Sequence, residues 1–173
     1  MSIINFLPFT VHSENVEHVC SEYHFDAENN SWEEAEQYCK RSNYDGLVSR
    51  QTEEEWVYFK NITAIITQEQ KRALKRRRWF IGLRYFSRKW CWSSNTKACK
   101  NQTTNDTGNW RWAAGEPNNP HLEHCVEMLQ GGGYNNINCR RQFVYIGFIC
   151  EKKNWYVKSH SITFHSKLLG SFV

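Results

Sequence analysis

The chain has 173 residues and a formal charge of +4, and 40% of its residues are hydrophobic, with 8 tryptophans among them. That length holds one domain with a core and two tails, and so aromatic a composition excludes a disordered chain. No stretch reaches the length of a transmembrane helix, no repeat argues for an array, and the modest charge gives no reason to expect a nucleic-acid partner.

In chain order, Ile3 to Val11 is a short apolar run broken by Asn5 and Pro8, a poor secretion signal. Residues 1–19 are read as an N-terminal tail, the remnant of a longer or secreted precursor. Cys20 to Phe25 reads as a short strand and Asp26-Ala27-Glu28-Asn29-Asn30 as a turn. Ser31 and Glu34 form a capping box that starts a helix with Trp32, Ala35 and Cys39 at helical spacing. Leu47-Val48-Ser49 is an apolar link, and Thr52 with Glu55 repeats the box for a second helix bearing Trp56 and Phe59. Residues Ile62 to Leu74 extend that helix or form a loop.

The basic run from Lys71 to Arg78 reads as a solvated connector rather than a heparin or nucleic-acid surface. Trp79-Phe80-Ile81-Gly82-Leu83 is too short for a surface helix and β-prone, so a buried central strand is expected. A long polar stretch follows from Ser87 to Asn109, in which Cys91 and Cys99 are near enough to close a local loop. Trp110-Arg111-Trp112 reads as an aromatic strand and Phe143 to Cys150 as the last core strand. Residues 153–173 are read as a C-terminal tail without a fold.

The cysteines, at 20, 39, 91, 99, 125, 139 and 150, contain no CxxC pair. A disulfide framework is favoured over zinc or a redox site. Sequons at Asn29, Asn61, Asn101 and Asn105 agree with an oxidising, extracellular or secreted setting. Between the aromatic segment and the last strand, Glu116-Pro117-Asn118, Glu123-His124-Cys125 and Tyr134-Asn135-Asn136 gather carboxylates and carboxamides. Such oxygen donors suit a hard cation such as calcium.

These features together resemble the C-type lectin-like domain. Ser31 to Cys39 is similar to the family's first helix, Trp79 to Leu83 to its central strand and Phe148-Ile149-Cys150-Glu151 to its closing strand, covering residues 20–152. The resemblance implies an α+β fold with two helices flanking small antiparallel sheets, and a long calcium-binding loop. It implies the pairs Cys39 with Cys150, Cys125 with Cys139 and Cys91 with Cys99. Cys20 is left as a free thiol, an intermolecular link that would make an oligomer, or a sign of a missing N-terminal segment.

By the same resemblance calcium is held by Glu116, Asn118, Glu123, Asn135 and Asn136, with Pro117 cis. Glu116, Asn118, Glu123 and Asn135 also contact sugar. The Glu-Pro-Asn order implies mannose, fucose or N-acetylglucosamine rather than galactose. Where the family has Trp-Asn-Asp this chain has Tyr134-Asn135-Asn136, so the set loses a carboxylate and calcium affinity should fall. The family's accessory calcium site is not expected, since Asn119 and His124 replace acidic residues.

Other readings compete. The Pro- and Asn-rich cluster is a turn on backbone grounds alone. A lectin-like domain with a vestigial calcium site can grip a protein ligand instead of glycans or glycoproteins. An enzyme would have to use His121, Glu123, His124 and Cys125 for zinc or a nucleophile, which the claim of a disulfide on Cys125 opposes. A non-enzymatic recognition domain with no catalytic residue is the expectation.

Overall fold

The computed structural model describes residues 4–8, 18–26, 30–49, 52–69, 78–95, 111–119, 121–143 and 146–156, and for 4–8, 18–20, 69, 95 and 155–156 it describes the backbone alone. The strands are β1 (Ile4–Pro8), β2 (His18–Asp26), β3 (Gly46–Leu47), β4 (Arg78–Phe86), β5 (Lys89–Trp92), β6 (Cys125–Leu129), β7 (Tyr134–Ile137) and β8 (Ile146–Tyr156). Helix α1 spans Trp32–Arg41 and α2 spans Glu53–Glu69.

Both helix starts are capped as the sequence predicts. Ser31 Oγ accepts from the Glu34 amide while Glu34 Oε2 accepts from the Ser31 amide at 2.7 Å. Thr52 and Glu55 repeat the exchange at 3.2 and 3.0 Å. Each box pairs two backbone donors that the helix geometry would otherwise leave open.

The strands join in one sheet of order β1-β2-β8-β4-β6-β7, with β3 on β8 and β5 on β4. Pairing is antiparallel except between β4 and β8, where Arg78 lies opposite Ile146 and Phe80 opposite Phe148. In β4 the apolar run splits with period two. Trp79, Ile81 and Leu83 join the core that includes Phe59 and Ile66 of α2, whereas Phe80 joins the core that includes Trp32, Ala35 and Cys39 of α1. A strand covered on both faces has no use for polar alternation, which is why its sequence reads as a continuous apolar block.

Cys39 and Cys150 are bridged across a separation of 111 residues, and Cys125 and Cys139 across 14. The first ties α1 to β8 inside the core, and the second ties β6 to the turn after β7. Cys91 is disulfide-bonded. Cys99, which the sequence pairs with it, lies outside the described residues, as does the Cys20 side chain.

Several expected boundaries shift. Residues 4–8, inside the segment read as a tail, form β1 against β2, and β8 continues past Lys153 to Tyr156, whose backbone faces His18. The backbone ladder of β2 carries the pairing onward where side-chain pattern gives out. Helix α2 takes in Ile62 to Glu69 of the stretch read as helix or loop, and 70–74 lie outside the described residues. The aromatic strand expected at 110–112 is instead an isolated bridge between Trp112 and Tyr134, with Trp110 outside the described residues.

Candidate cation and glycan site

The site lies on the loop that leads from Arg111 to β6, and it is fixed to the sheet before its polar residues are reached. The Tyr134 amide donates to the Arg111 carbonyl at 2.7 Å and the Ala113 amide to the Tyr134 carbonyl at 2.9 Å. The Trp112 ring stands edge-on to Trp90 with centroids 4.7 Å apart. On the other side the Arg111 guanidinium lies 3.7 Å over the Trp56 ring and pairs with Glu53. Trp56 Nε1 in turn donates to the Gly132 carbonyl at 3.0 Å. Gly132 has φ +84°, and a Cβ there would stand 2.6 Å from the Trp56 ring, so both conformation and space require glycine.

From that anchored stem a turn, closed by the Glu116 amide on the Ala113 carbonyl at 3.0 Å, presents Glu116, Pro117 and Asn118. The Glu116–Pro117 peptide is cis. Asn118 Nδ2 donates to Glu116 Oε1 at 2.8 Å, and the Asn118 amide to Glu116 Oε2 at 3.2 Å. Glu123 follows one short turn later, its amide on the Asn119 carbonyl at 3.1 Å.

The two asparagines of β7 behave differently. Asn135 Nδ2 donates to Glu127 Oε1 at 2.8 Å, and the same oxygen accepts from Arg78 Nη1 at 3.0 Å. With its nitrogen committed, Asn135 keeps its Oδ1 as the end available to a cation. Glu127 is wholly buried, and burial pushes its carboxyl above the usual range, with the nearby Glu116 charge adding to the rise and Asn135 and Arg78 opposing it.

Asn136, also buried, is spent on the protein. Its Nδ2 donates to the Glu123 carbonyl at 3.1 Å and to the Asn118 carbonyl, while its Oδ1 accepts from the Asn118 amide at 2.9 Å. Carbonyls only accept and an N–H only donates, so these partners fix the amide's orientation. Its nitrogen faces two carbonyls, and it joins the Glu-Pro-Asn turn to the Glu123 segment without a metal.

A cavity of about 240 Å³ opens here, lined among others by Asn118, Glu123, Asn135 and Asn136. Glu116 stands beside it through its bond to Asn118. Glu116, Asn118, Glu123 and Asn135 bring oxygen donors from separate stretches to one place, which fits a hard cation of the calcium type. Among the described residues no three His, Cys, Asp or Glu side chains cluster as a metal group. The set has two carboxylates, Glu116 and Glu123, and ligand charge is one of the main controls on calcium affinity. The zinc or nucleophile alternative loses its centre, since Cys125 Sγ is bonded to Cys139. The His124 ring packs 5.7 Å from that of Tyr85.

Residues 28–152 match the family model described as the lectin C-type domain. The chain belongs to that family. Members of that family are non-enzymatic carbohydrate-binding domains. The domain is similar to L-selectin of Mus musculus, 29% identical over 129 residues that cover 71% of this chain and 30% of the relative. It is also similar to E-selectin of Bos taurus, 32% identical over 69% of this chain and 23% of the relative. The chain thus spans less than a third of the length of these curated relatives. The mouse scavenger receptor C-type lectin carbohydrate-recognition domain, 23% identical with TM-score 0.57 over 88% of this chain and 97% of its own, shares the fold. So does the cow carbohydrate-recognition domain of CD23, solved in the presence of a GlcNAc2Man3 oligosaccharide, 26% identical with TM-score 0.53 over 82% of this chain and 95% of its own.

Sequence reasoning placed Glu116, Asn118, Glu123, Asn135 and Asn136 in one neighbourhood and missed what holds them. Glu127 had a signal, a lone acid inside the apolar run Cys125-Val126-Glu127-Met128-Leu129. Arg78 had been read only as the end of a basic connector. Of the sequons, Asn61 is exposed on α2, and Asn29, Asn101 and Asn105 lie outside the described residues.

Proposed function

We propose that this lectin domain, over residues 20–152, binds glycans or glycoproteins through one calcium ion held by Glu116, Asn118, Glu123 and Asn135, with Asn136 closing the loop beneath it. The observation that carries the reading is the meeting of Asn118, Glu123 and Asn135 at one cavity, with Glu116 hydrogen-bonded at its edge. When bound, calcium supplies coordination positions for two neighbouring sugar hydroxyls. Glu116 accepts hydrogen bonds from those hydroxyls and Asn118 Nδ2 donates to them, once each turns from its present partner toward the sugar.

The Glu-Pro-Asn order supports mannose, fucose or N-acetylglucosamine over galactose. One small sugar makes few contacts, so single-site affinity is about millimolar, and useful binding needs several domains side by side. Copies joined through Cys20 would supply them. Disulfides in the core fit an extracellular or secreted location. Among the described residues no helix is long and apolar enough to cross a membrane.

A glycan array probed with calcium and again with chelator tests the reading. Mannose-type glycans should be retained only with calcium, and a galactose preference would contradict it. The buried, fully engaged Asn136 favours one second reading, in which the loop is held shut by protein alone and the ligand is a protein. In that case the domain ignores every glycan on the array at both calcium levels.

A further inference from the structure

A second cavity, of about 280 Å³, opens between α1 and the far end of β4, where Glu33, Glu36, Gln37 and Lys40 of the helix face Arg84 and Ser93. It shares no residue with the cation site. Arg84 stands six residues after Arg78 on β4, about 20 Å along the strand from the wall of the other cavity.

The alternation along β4 that sends Phe80 into the α1 core sends Gly82 and Arg84 to the same side. Gly82 lets other chain come close. A Cβ there would stand 2.6 Å from the Leu47 carbonyl oxygen and 2.9 Å from Ser93 Oγ, so glycine is what allows Ser93 to lie against the strand beside Arg84.

Charge decides what this cavity can take. Glu36 Oε1 lies 2.8 Å from Lys40 Nζ, its Oε2 accepts from the Leu47 amide at 2.8 Å, and Glu33 pairs with Arg140 at 3.3 Å. Arg84 is different. Its guanidinium lies 5.6 Å from the centre of the buried Trp32 ring, and it enters no ion pair among the described residues. Arg84 Nε and Ser93 Oγ are both closed to solvent, and neither has a hydrogen-bond partner there. Leaving a buried donor of a charged group unmet is costly, and the cavity is several times a water's share of about 30 Å³. Two donors and one unbalanced positive charge call for an anionic oxygen. Glu33 and Glu36 stand close enough to repel a multiply charged group such as phosphate, whereas a carboxylate brings a single charge and two oxygens.

We propose that the α1 cavity is a calcium-independent site for a carboxylate group on a short flexible chain, with the Arg84 Nε–H and the Ser93 hydroxyl donating to its oxygens. A free small carboxylic acid and an acidic side chain of a peptide offer the same group.

Nitrogen-15 NMR of the whole chain, following the Arg84 Nε–H and the Glu36 and Gln37 amides, tests the assignment and separates the two sources. The ligands are glutarate, glutamate blocked at both ends as a peptide mimic, and the blocked glutamine analogue. At least one carboxylate should shift the Arg84 signal saturably, and the neutral analogue should bind about tenfold more weakly, the difference that a charge-assisted contact makes. Arg84→Lys keeps the charge but loses the planar fork, and should weaken binding about fivefold. Ser93→Ala spares the packing on Trp32 and should weaken it about two- to threefold. Chelator should change nothing.

Binding of glutarate alone identifies a free acid, and binding of blocked glutamate as tight or tighter identifies a peptide side chain. Equal binding of the glutamine analogue overturns the proposal, as does carboxylate binding that neither variant weakens. Loss of binding with chelator places the group at the cation ligands and overturns it too. An Arg84 signal that no carboxylate moves at tens of millimolar means that an ordered water meets both donors, and the site is then no receptor for an anion.

Discussion

Glu151 in β8 and Asn136 in the edge strand β7 are both 1% exposed, and each ties separate stretches of chain together from inside the sheet. The neighbours of Glu151 are donors. Ser21 Oγ reaches its Oε1 at 3.0 Å, the Ser49 amide and hydroxyl reach Oε2 at 3.0 and 2.8 Å, and Lys153 Nζ stands 3.9 Å away. The neighbours of Asn136 are mostly acceptors, the carbonyls of Asn118 and Glu123. A carboxylate serves where the surroundings donate, and a carboxamide serves where they accept. Putting a carboxylate among the carbonyls creates a demand for a cation, and that difference is what the variants below probe.

Each cluster sits next to a disulfide, and the largest expected effects come from there. Replacing Cys39 and Cys150 by serine removes a link across 111 residues, whereas replacing Cys125 and Cys139 removes one across 14. On the chain-entropy account the first pair contributes roughly 5 kcal/mol and the second about 3. Denaturant unfolding should rank the double variants in that order. Equal losses would mean that the loop around Asn136 is as deeply built into the folding unit as the closing strand.

Glu151→Gln comes next. The amide oxygen can keep the two Ser49 donors while its N–H turns to Ser21 Oγ, which must then accept instead of donate. The charge-assisted character of these bonds is lost, so a loss of about 1–3 kcal/mol is expected. Burial, the leading cause, holds the Glu151 carboxyl above its ordinary range despite Lys153 and Ser49. The folded state therefore binds the proton more tightly than the unfolded one. Stability from this group is greatest below the unfolded carboxylate value and falls as pH rises toward the folded one. Melting curves across mildly acid pH should show that decline in the wild type and a flatter course in the variant. A steeper decline in the variant would assign the pH dependence to another group.

How much of this was readable in advance follows from the kind of force involved. The capping boxes, the inward face of Trp32, Ala35 and Cys39 and the buried strand at Trp79 to Leu83 were legible, because they rest on spacing and on apolar area. The gathering of Glu116, Asn118, Glu123 and Asn135 was legible through the family resemblance. The direction of the Asn136 amide was not, since an amide reads the same in sequence whichever end faces the site. Nor was the pairing of residues 4–8 with β2, because backbone ladders carry no residue code. The roles of Arg78 and Glu127 depend on β4 lying beside β6, a long-range pairing that no local pattern announces.

Asn136→Asp sharpens the comparison directly. Without metal the new carboxylate faces the carbonyls of Asn118 and Glu123 and loses both donated bonds, so the apo domain should lose about 1–2 kcal/mol. With calcium the added charge joins Glu116 and Glu123, and metal affinity should rise. Calorimetry with melting curves at low and millimolar calcium measures both sides. Stability that becomes calcium-dependent in the variant and is nearly calcium-independent in the wild type is the expected result. A variant indifferent to calcium would place the ion elsewhere.

The smallest effect belongs to the clamp on the outer side of the loop. Arg111 spans Trp56 and Glu53, but Glu53 is exposed and solvent screens such a pair. Its buried Nε also lacks a hydrogen-bond partner, so removing the guanidinium removes an unmet donor along with the ring contact. Arg111→Gln should therefore leave the melting temperature within experimental error. Its mark should be local: faster hydrogen exchange at the Ala113 and Tyr134 amides, which bridge the loop to β7, with Asn136 still holding the far side. Pairing the change with Asn136→Asp should then speed exchange by more than the two single effects combined when calcium is withheld, because the loop has lost both attachments, and by no more than their sum when calcium is restored. Strict additivity in both conditions would show that the two attachments hold separate pieces of chain rather than one loop.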